Sequence, residues 1–433
     1  MAAAESIRRQ HLAELVQEWR VLLAAVTGVA LGVNSLPFYT SGLFINALHL
    51  DQGWSLASLS LGPTLLVLSM ALTAPILGSA FDRYGERCFI FPGLLVQVTA
   101  LLFLSRIESL TSYYALLAGM ALLGSGCAAP AYIRIVNRTF DKAKGTALAI
   151  TITGAAALSA VVPPLLQQLI TTHGWRSAYV ALAIVVAVGV PVMVFLLRGT
   201  DRVRIEVRPD RARPLSRSVS CPDSGYCGLL YDRTFLLLAA AIAMISIACP
   251  GLLIHFMPML TAGGIDATTA AWIISLIGVT QILSRLFTGV LVDRFFAPIV
   301  AACIMGLSAM GFALMCWGGT GWAIAGAVAV GLAYGAEADL IGYLTGRYYE
   351  PARFGRVFGI FYAVFLTGTA VSPSLYGVIV DTQGSYQPSL AIATVFLLMA
   401  SIVFLRLPRF PGDSRVESGA NASLVAEVSG QAH

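Results

Sequence analysis

Twelve stretches of about 20 or more apolar residues follow one another along this chain. Each is long enough to cross a hydrocarbon core of about 30 Å. Inside lipid every backbone N–H and C=O needs a partner within the protein, so runs of this kind must fold as helices. The expected spans are about 21–47, 54–79, 88–106, 112–135, 145–170, 177–198, 233–261, 267–292, 298–317, 321–346, 354–380 and 388–407. Charged residues make up only 11% of the chain, against about 25% in a soluble domain. The expected fold class is therefore all-α, a polytopic membrane protein with twelve transmembrane helices in two six-helix bundles.

The formal net charge of +5 could suggest a nucleic-acid partner in a soluble protein. Here its placement speaks for topology, and no nucleic-acid partner is expected. Of the 27 Lys and Arg, all but Arg106, Arg176 and Arg285 fall at the termini or on the loops and helix ends of the same side. By the positive-inside rule both termini face the cytoplasm. Five units follow: a cytoplasmic N-terminal segment (1–20), a first bundle (21–198), a basic linker (199–232), a second bundle (233–407) and a disordered tail (408–433). No cleavable signal peptide is expected before Val21. The seven cysteines show no metal-ligand spacing, and Cys221 and Cys227 lie in the cytoplasmic linker, where a disulfide is not expected.

The two halves repeat one another. Gly78-Ser79-Ala80-Phe81-Asp82-Arg83 closes one apolar run, and Gly289-Val290-Leu291-Val292-Asp293-Arg294 closes another 211 residues later. Gly124 and Gly335 keep that offset; Gly145 and Gly355, Pro163 and Pro373, and Gly174 and Gly384 are each 210 apart. A near-constant offset across six helices means a parallel duplication, its halves related by an axis along the membrane normal. Transporters are commonly built this way.

In the first copy the phrase continues through Tyr84-Gly85-Glu86-Arg87. It resembles the G-x-x-x-D-R-x-G-x-R signature of the major facilitator superfamily. The resemblance implies a latch, made by Gly78, Asp82, Arg83, Gly85 and Arg87, that holds the cytoplasmic side shut. In the second copy Gly289, Asp293 and Arg294 match before Phe296 and Pro298 depart from the pattern. Phe140-Asp141-Lys142-Ala143-Lys144-Gly145, Pro163-Pro164 and Gly174-Trp175-Arg176 are similar to the monocarboxylate transporter and oxalate/formate exchanger group. So are Leu252-Leu253-Ile254-His255-Phe256 and Gly335-Ala336-Glu337-Ala338-Asp339, which resemble a bacterial branch of it.

Ionisable residues within the membrane are expensive and point to function. Arg285 lies about 12 Å from the cytoplasmic end of the eighth span, counting from Asp293. That depth is near the midplane, with Gln281 one turn away on the same face. The resemblance implies that an arginine here binds the substrate carboxylate, and that Gln281 stands where some relatives carry a proton-bearing aspartate. A structural ion pair with an acid of the tenth span is the alternative for Arg285. Glu337 is about 15 Å above Arg347, also near the midplane, and is the preferred proton carrier. Asp339 lies about 200° around the helix from it, on the face of Gly335, Gly342 and Gly346. The roles of the two acids could be exchanged. His255, Tyr39 and Asn34 are further candidates for lining the cavity, with hydrogen bonding and helix packing as their alternatives. Arg134 is expected to snorkel toward the inner interface. Lys142 and Lys144 are the only lysines, so no second cation of that kind stands in the first or eleventh span, which favours a substrate with one carboxylate.

The expected function is secondary active transport of a small organic anion by proton symport, in a bacterial inner membrane, as a monomer without metal or cofactor. Partners are the organic acid, protons and the lipid bilayer. Proton-coupled efflux of amphipathic compounds is the alternative within transport, and a non-transporting sensor stands behind it. Neither a G-x-S-x-G nor a phosphate loop occurs to support a membrane enzyme.

Overall fold

The computed structural model describes residues 13–197 and 232–410, and among them every regular element is helical. The expected N-terminal segment, linker and tail fall mostly outside these ranges. Ten continuous stretches are long and apolar enough to cross a membrane. Two of them, of 54 and 52 residues, each hold two spans, divided at Gly174 and at the turn Gly319–Trp322. The first bundle comprises α1 (Trp19–Gln52), α2 (Leu56–Tyr84), α3 (Arg87–Leu104), α4 (Leu110–Thr139), α5 (144–173) and α6 (175–197). The second comprises α7 (Arg233–Ala262), α8 (Ala267–Arg294), α9 (Ala297–Gly318), α10 (Ala323–Tyr348), α11 (Pro351–Gln383) and α12 (Gln387–Leu405).

Local chemistry sets the helix ends. Ser55, Ser109, Asp232 and Asp266 cap α2, α4, α7 and α8 by accepting from backbone N–H groups of the first turn. Gly174 (φ 81°) and Gly384 (φ 67°), one of the repeated pairs, both turn the chain in the left-handed region open to glycine. Two boundaries differ from the sequence expectation. The second span continues to Tyr84, and α8 runs to Arg294, so both Asp-Arg pairs sit on the last helical turn rather than in a hairpin. The turn after α2 comes at Gly85 (φ 81°).

The bundles meet along three seams, α2 on α11, α5 on α8 and α1 on α7. All three seams lie from the midplane toward the side opposite the termini, here called the far side. A Cβ added at Gly278 would lie 2.2 Å from Ala160 N, and one at Gly42 would lie 2.4 Å from Ile254 O. On the terminus side of the same helices, Gly78, Gly145, Gly289 and Gly355 face open space, with nothing within 4 Å of an added Cβ. The bundles therefore enclose a cavity that is shut on the far side and open toward the termini.

Two helices break where they cross. Between Leu31 and Leu36 α1 makes a turn, and α4 passes through a 3₁₀ turn at Ser125–Cys127. Asn34 Oδ1 accepts from Ala129 N at 3.1 Å, and Gln97 Nε2 donates to Leu31 O at 2.9 Å. These side chains replace the backbone partners lost at the breaks. Near the terminus-side surface, Glu14 accepts from Asp141 N (2.8 Å) and Ala143 N (2.6 Å), tying the N-terminal segment to the start of α5.

Two outcomes follow. Asn34→Ala leaves Ala129 N–H unpaired, which costs about 1–2 kcal/mol; thermal unfolding in detergent should fall while substrate affinity stays unchanged. The N–H groups of Asp141 and Ala143 hold the Glu14 carboxyl below the usual glutamate range. A lowered pKa contributes stability above the unfolded value of about 4.3, lost as pH falls through the folded value. Protection of the Asp141 and Ala143 amides, taken relative to the intrinsic exchange rate at each pH, should thus be high at neutral pH and fall only below that range; Glu14→Gln should weaken protection at neutral pH.

Candidate functional site

Close packing of α10 on α8 creates the site. Gly331, Gly335 and Asp339 are spaced four apart and share one face of α10. A Cβ at Gly331 would lie 1.8 Å from Thr280 Oγ1, and one at Gly335 would lie 2.5 Å from Gln281 O. With the backbones this close, Asp339, one turn further, reaches Arg285. Arg285 Nε lies 3.0 Å from Asp339 Oδ2. The oxygen stands off the N–H direction, so the contact is an ion pair without a well-formed hydrogen bond. Arg285 is 8% exposed and the Asp339 side chain 37% exposed, so the cavity reaches the acid more readily than the arginine.

Across the gap, Tyr39 of α1 meets Gln281. Gln281 Nε2 donates to Tyr39 Oη at 3.0 Å, and the Tyr39 hydroxyl points back to Gln281 Oε1 at 3.4 Å. The Tyr334 ring lies 6.5 Å from that of Tyr39, edge-on. This group roofs the Arg285 site on its far side. Tyr334 escaped the sequence reading; an aromatic one turn before Glu337 on a glycine-rich helix is the signal that could have found it.

The other candidates take different places. Glu337, the acid preferred from sequence, is 3% exposed and faces the interior of the second bundle, among Leu238, Ile242, Ile245, Phe361 and Phe404. Neither of its oxygens has a hydrogen-bond partner. The acid that meets Arg285 is Asp339, because the Gly331–Gly335 contact turns that face of α10 toward α8. Of the glycines grouped with Asp339, only Gly335 makes a close helix contact; Gly342 faces open space and Gly346 has one side-chain neighbour at 3.8 Å. Asn34 is committed to the break in α4. His255 is fully buried, with Nε2 3.0 Å from Pro373 O and 2.9 Å from Ser60 Oγ, and Nδ1 3.4 Å from Tyr386 Oη. A carbonyl only accepts, so Nε2 carries the proton and Nδ1 accepts from the tyrosine. His255 thus sits in the far seam and turns no face to the cavity.

The repeated signature forms a charge cluster on the terminus side. Arg134 pairs with Asp82 and, at 3.1 Å, with Glu86, while Arg138 reaches Glu86 at 3.0 Å. Arg134 therefore serves the α2–α3 turn and not the cavity. Arg83 lies over the Tyr84 ring at 5.2 Å. In the second copy Gly289 borders open space, Arg294 is exposed, and the Asp293 side chain lies outside the described residues.

Two repeated bundles with twelve helices among the described residues, a central cavity open on one side and an ion pair of a buried arginine with a cavity-facing aspartate define a membrane transporter, not an enzyme. The chain belongs to the major facilitator superfamily, whose family model matches residues 27–260 and 234–429. It is 28% identical to monocarboxylate transporter 11 of Mus musculus over 363 residues, covering 79% of this chain and 77% of the relative. It is 25% identical to monocarboxylate transporter 13 of Bos taurus, over 78% of this chain and 77% of the relative. Among solved structures, a D-xylose–proton symporter superposes with a TM-score of 0.68 at 11% identity, covering 93% of this chain and 99% of that one. An inward-facing, occupied bacterial homologue of the human lysosomal transporter Spinster superposes with a TM-score of 0.61 at 16% identity, over 91% and 97%. These two show the shared fold.

The Tyr39–Gln281 contact can be measured directly. A double-mutant cycle with Tyr39→Phe and Gln281→Leu should give a coupling of about 0.5–1.5 kcal/mol in thermal stability. Simple additivity would mean the hydrogen bond is not formed.

Proposed function

We propose that this protein carries a small monocarboxylate together with a proton, with Arg285 as the carboxylate anchor and Asp339 as the proton acceptor. The observation that carries the reading is the buried Arg285, whose counter-ion is an aspartate reachable from the cavity. In the empty carrier Arg285 and Asp339 neutralise each other. A proton arriving from the cavity turns Asp339 into a neutral acid and frees the guanidinium, whose planar fork suits a carboxylate. The substrate then takes the place Asp339 held. The loaded site is again neutral, and a neutral site can be carried through the low-dielectric seam between the bundles.

The same bookkeeping favours one carboxylate. A second would leave an uncompensated charge costing several kcal/mol. Tyr39, Gln281 and Tyr334 would bound the substrate on the far side. Rocking of the bundles would then expose the site alternately, with the Asp82–Arg134–Glu86–Arg138 cluster and its partial second copy holding the terminus side shut in the other state. We place the protein in a bacterial inner membrane as a monomer, termini in the cytoplasm, so that this conformation faces inward. Neither metal nor cofactor is needed. Export of cationic amphiphiles would call on Glu337, but its carboxyl is enclosed within one bundle.

The test is uptake of a panel of organic acids into vesicles under an imposed pH gradient. At least one monocarboxylate should be stimulated by an acidic outer medium. Arg285→Ala should abolish uptake with the protein still folded in the membrane. Asp339→Asn should lose gradient stimulation yet keep exchange of labelled for unlabelled substrate, and Glu337→Gln should keep coupled uptake. Unaltered uptake in Arg285→Ala would remove the anchor, and gradient-driven uptake in Asp339→Asn would remove the proton role.

A further inference from the structure

Phe354, Phe358, Tyr362 and Phe365 follow one another at spacings of four, four and three residues, which sets four rings on one stripe of α11. Their centroids are 5.5, 6.0 and 5.8 Å apart in turn, with interplanar angles of 11°, 11° and 29°. Helix geometry, at about 100° per residue, gives the direction in which this ladder faces. On the far half of α11, where the bundles are shut, Val371 is 45% exposed and marks the lipid side. Tyr362 points about 180° away from it. Phe361 turns to α7 and stacks on Phe235 at 5.1 Å, while Gly377 packs against Ala57 of α2. Tyr362 lies between those two directions, about 100° from the first and about 60° from the second. It is nevertheless 41% exposed, so its open surface belongs to the cavity and not to lipid. At the mouth, Phe354 stands beside α10, with Cε2 3.8 Å from a Cβ added at Gly346. The ladder runs from about 5 Å to about 21 Å in from Pro351, at about 1.5 Å per residue. Arg285 and Asp339 lie about 14 Å in from the same ends of α8 and α10. The rings therefore pass the depth of the ion pair.

The fold itself does not ask for these rings. At the repeat offset of 210 the first bundle has Lys144, Leu148, Ile152 and Ala155 in their places. An aliphatic wall would hold the body of any short acid. A ring carries a negative face and a positive edge, so a wall of rings favours a further ring, placed offset or edge-on. The four rings also fix one another, which leaves little freedom to lose when a ligand joins them. We propose that the cargo is an aryl monocarboxylate, its carboxylate on Arg285 and its ring on the α11 ladder, with Tyr362 as the specificity-determining contact. The proposal rests on the carboxylate role given to Arg285 and adds what the rest of the substrate must be. Tyr362 has this part because it is the ring most open to the cavity and lies within about 3 Å of the depth of Arg285.

The test is titration calorimetry on the purified full chain in detergent, at one pH, with phenylacetate and cyclohexylacetate as probes. The saturated ring is as large and more apolar, so a merely apolar wall would favour it. The ladder should instead bind phenylacetate with a Kd at least about fivefold lower, in the range of one or two aromatic contacts. Tyr362→Leu should raise the phenylacetate Kd about fivefold and leave that of cyclohexylacetate within about twofold. Tyr362→Phe should keep the preference. Phe358→Leu carries the same comparison if the Tyr362→Leu protein does not fold. Arg285→Ala should lose both acids. Failure to bind phenylacetate, equal or tighter binding of cyclohexylacetate, or an equal loss of both acids in Tyr362→Leu would overturn the ladder's role while leaving Arg285 as the anchor. Unaltered binding of both acids in Arg285→Ala would overturn the anchor, and with it the proposal, whatever the ratio.

Discussion

The constraint on which this structure rests is that a guanidinium placed at the midplane of a membrane must be neutralised there. Arg285 meets it with Asp339, brought to 3.0 Å by a neighbouring helix. That contact depends on the approach of α10 to α8, which Gly331 and Gly335 allow by presenting no side chain to Thr280 and Gln281. The pair is therefore a consequence of helix packing before it is a feature of chemistry. Because the acid is more open to the cavity than the arginine, the partner of Arg285 can be exchanged without exposing the cation to lipid.

Duplication supplies the frame around that pair. Both halves use left-handed glycines at related turns, Gly174 and Gly384, and both present glycines on the helices that face across the gap. The charge set breaks the symmetry: Arg285, Glu337, Asp339 and His255 have no counterpart of the same kind in the first bundle. The first bundle contributes polar contacts instead, through Tyr39 against Gln281 and through a stripe of α2, Ala57 and Thr64, against α11. One half thus holds the ionic site, and the other packs against it through Tyr39 and the α2 stripe.

Much of this was legible in the sequence because it depends on periods and offsets. Apolar run length gave twelve spans, and counting residues from Asp293 put Arg285 near the midplane. What depends on helix rotation and on crossing partners was not. Glu337 and Asp339 lie on nearly opposite faces of α10, so the rotation of that helix decides which of them meets Arg285, and the order of residues along the chain does not give that rotation. The Gly331 contact that fixes this rotation carries no motif. Asn34 looked like a cavity residue because a polar side chain at a helix break suits either role; only the simultaneous break in α4 reveals that Ala129 N–H needs it. His255 stayed open between cavity and hydrogen-bonded packing for a similar reason, since its three partners come from α2, α11 and the turn before α12.

The central claim is that a carboxylate and a proton bind together because the substrate takes the place of Asp339 on Arg285. Proton uptake accompanying substrate binding tests it most directly, measured on purified protein in weakly buffered detergent solution with a monocarboxylate identified by the uptake panel. The account predicts about one proton taken up per carboxylate bound at neutral pH by linkage, and none in Asp339→Asn despite retained binding. Binding without proton uptake in the unsubstituted protein, or undiminished proton uptake in Asp339→Asn, would contradict it.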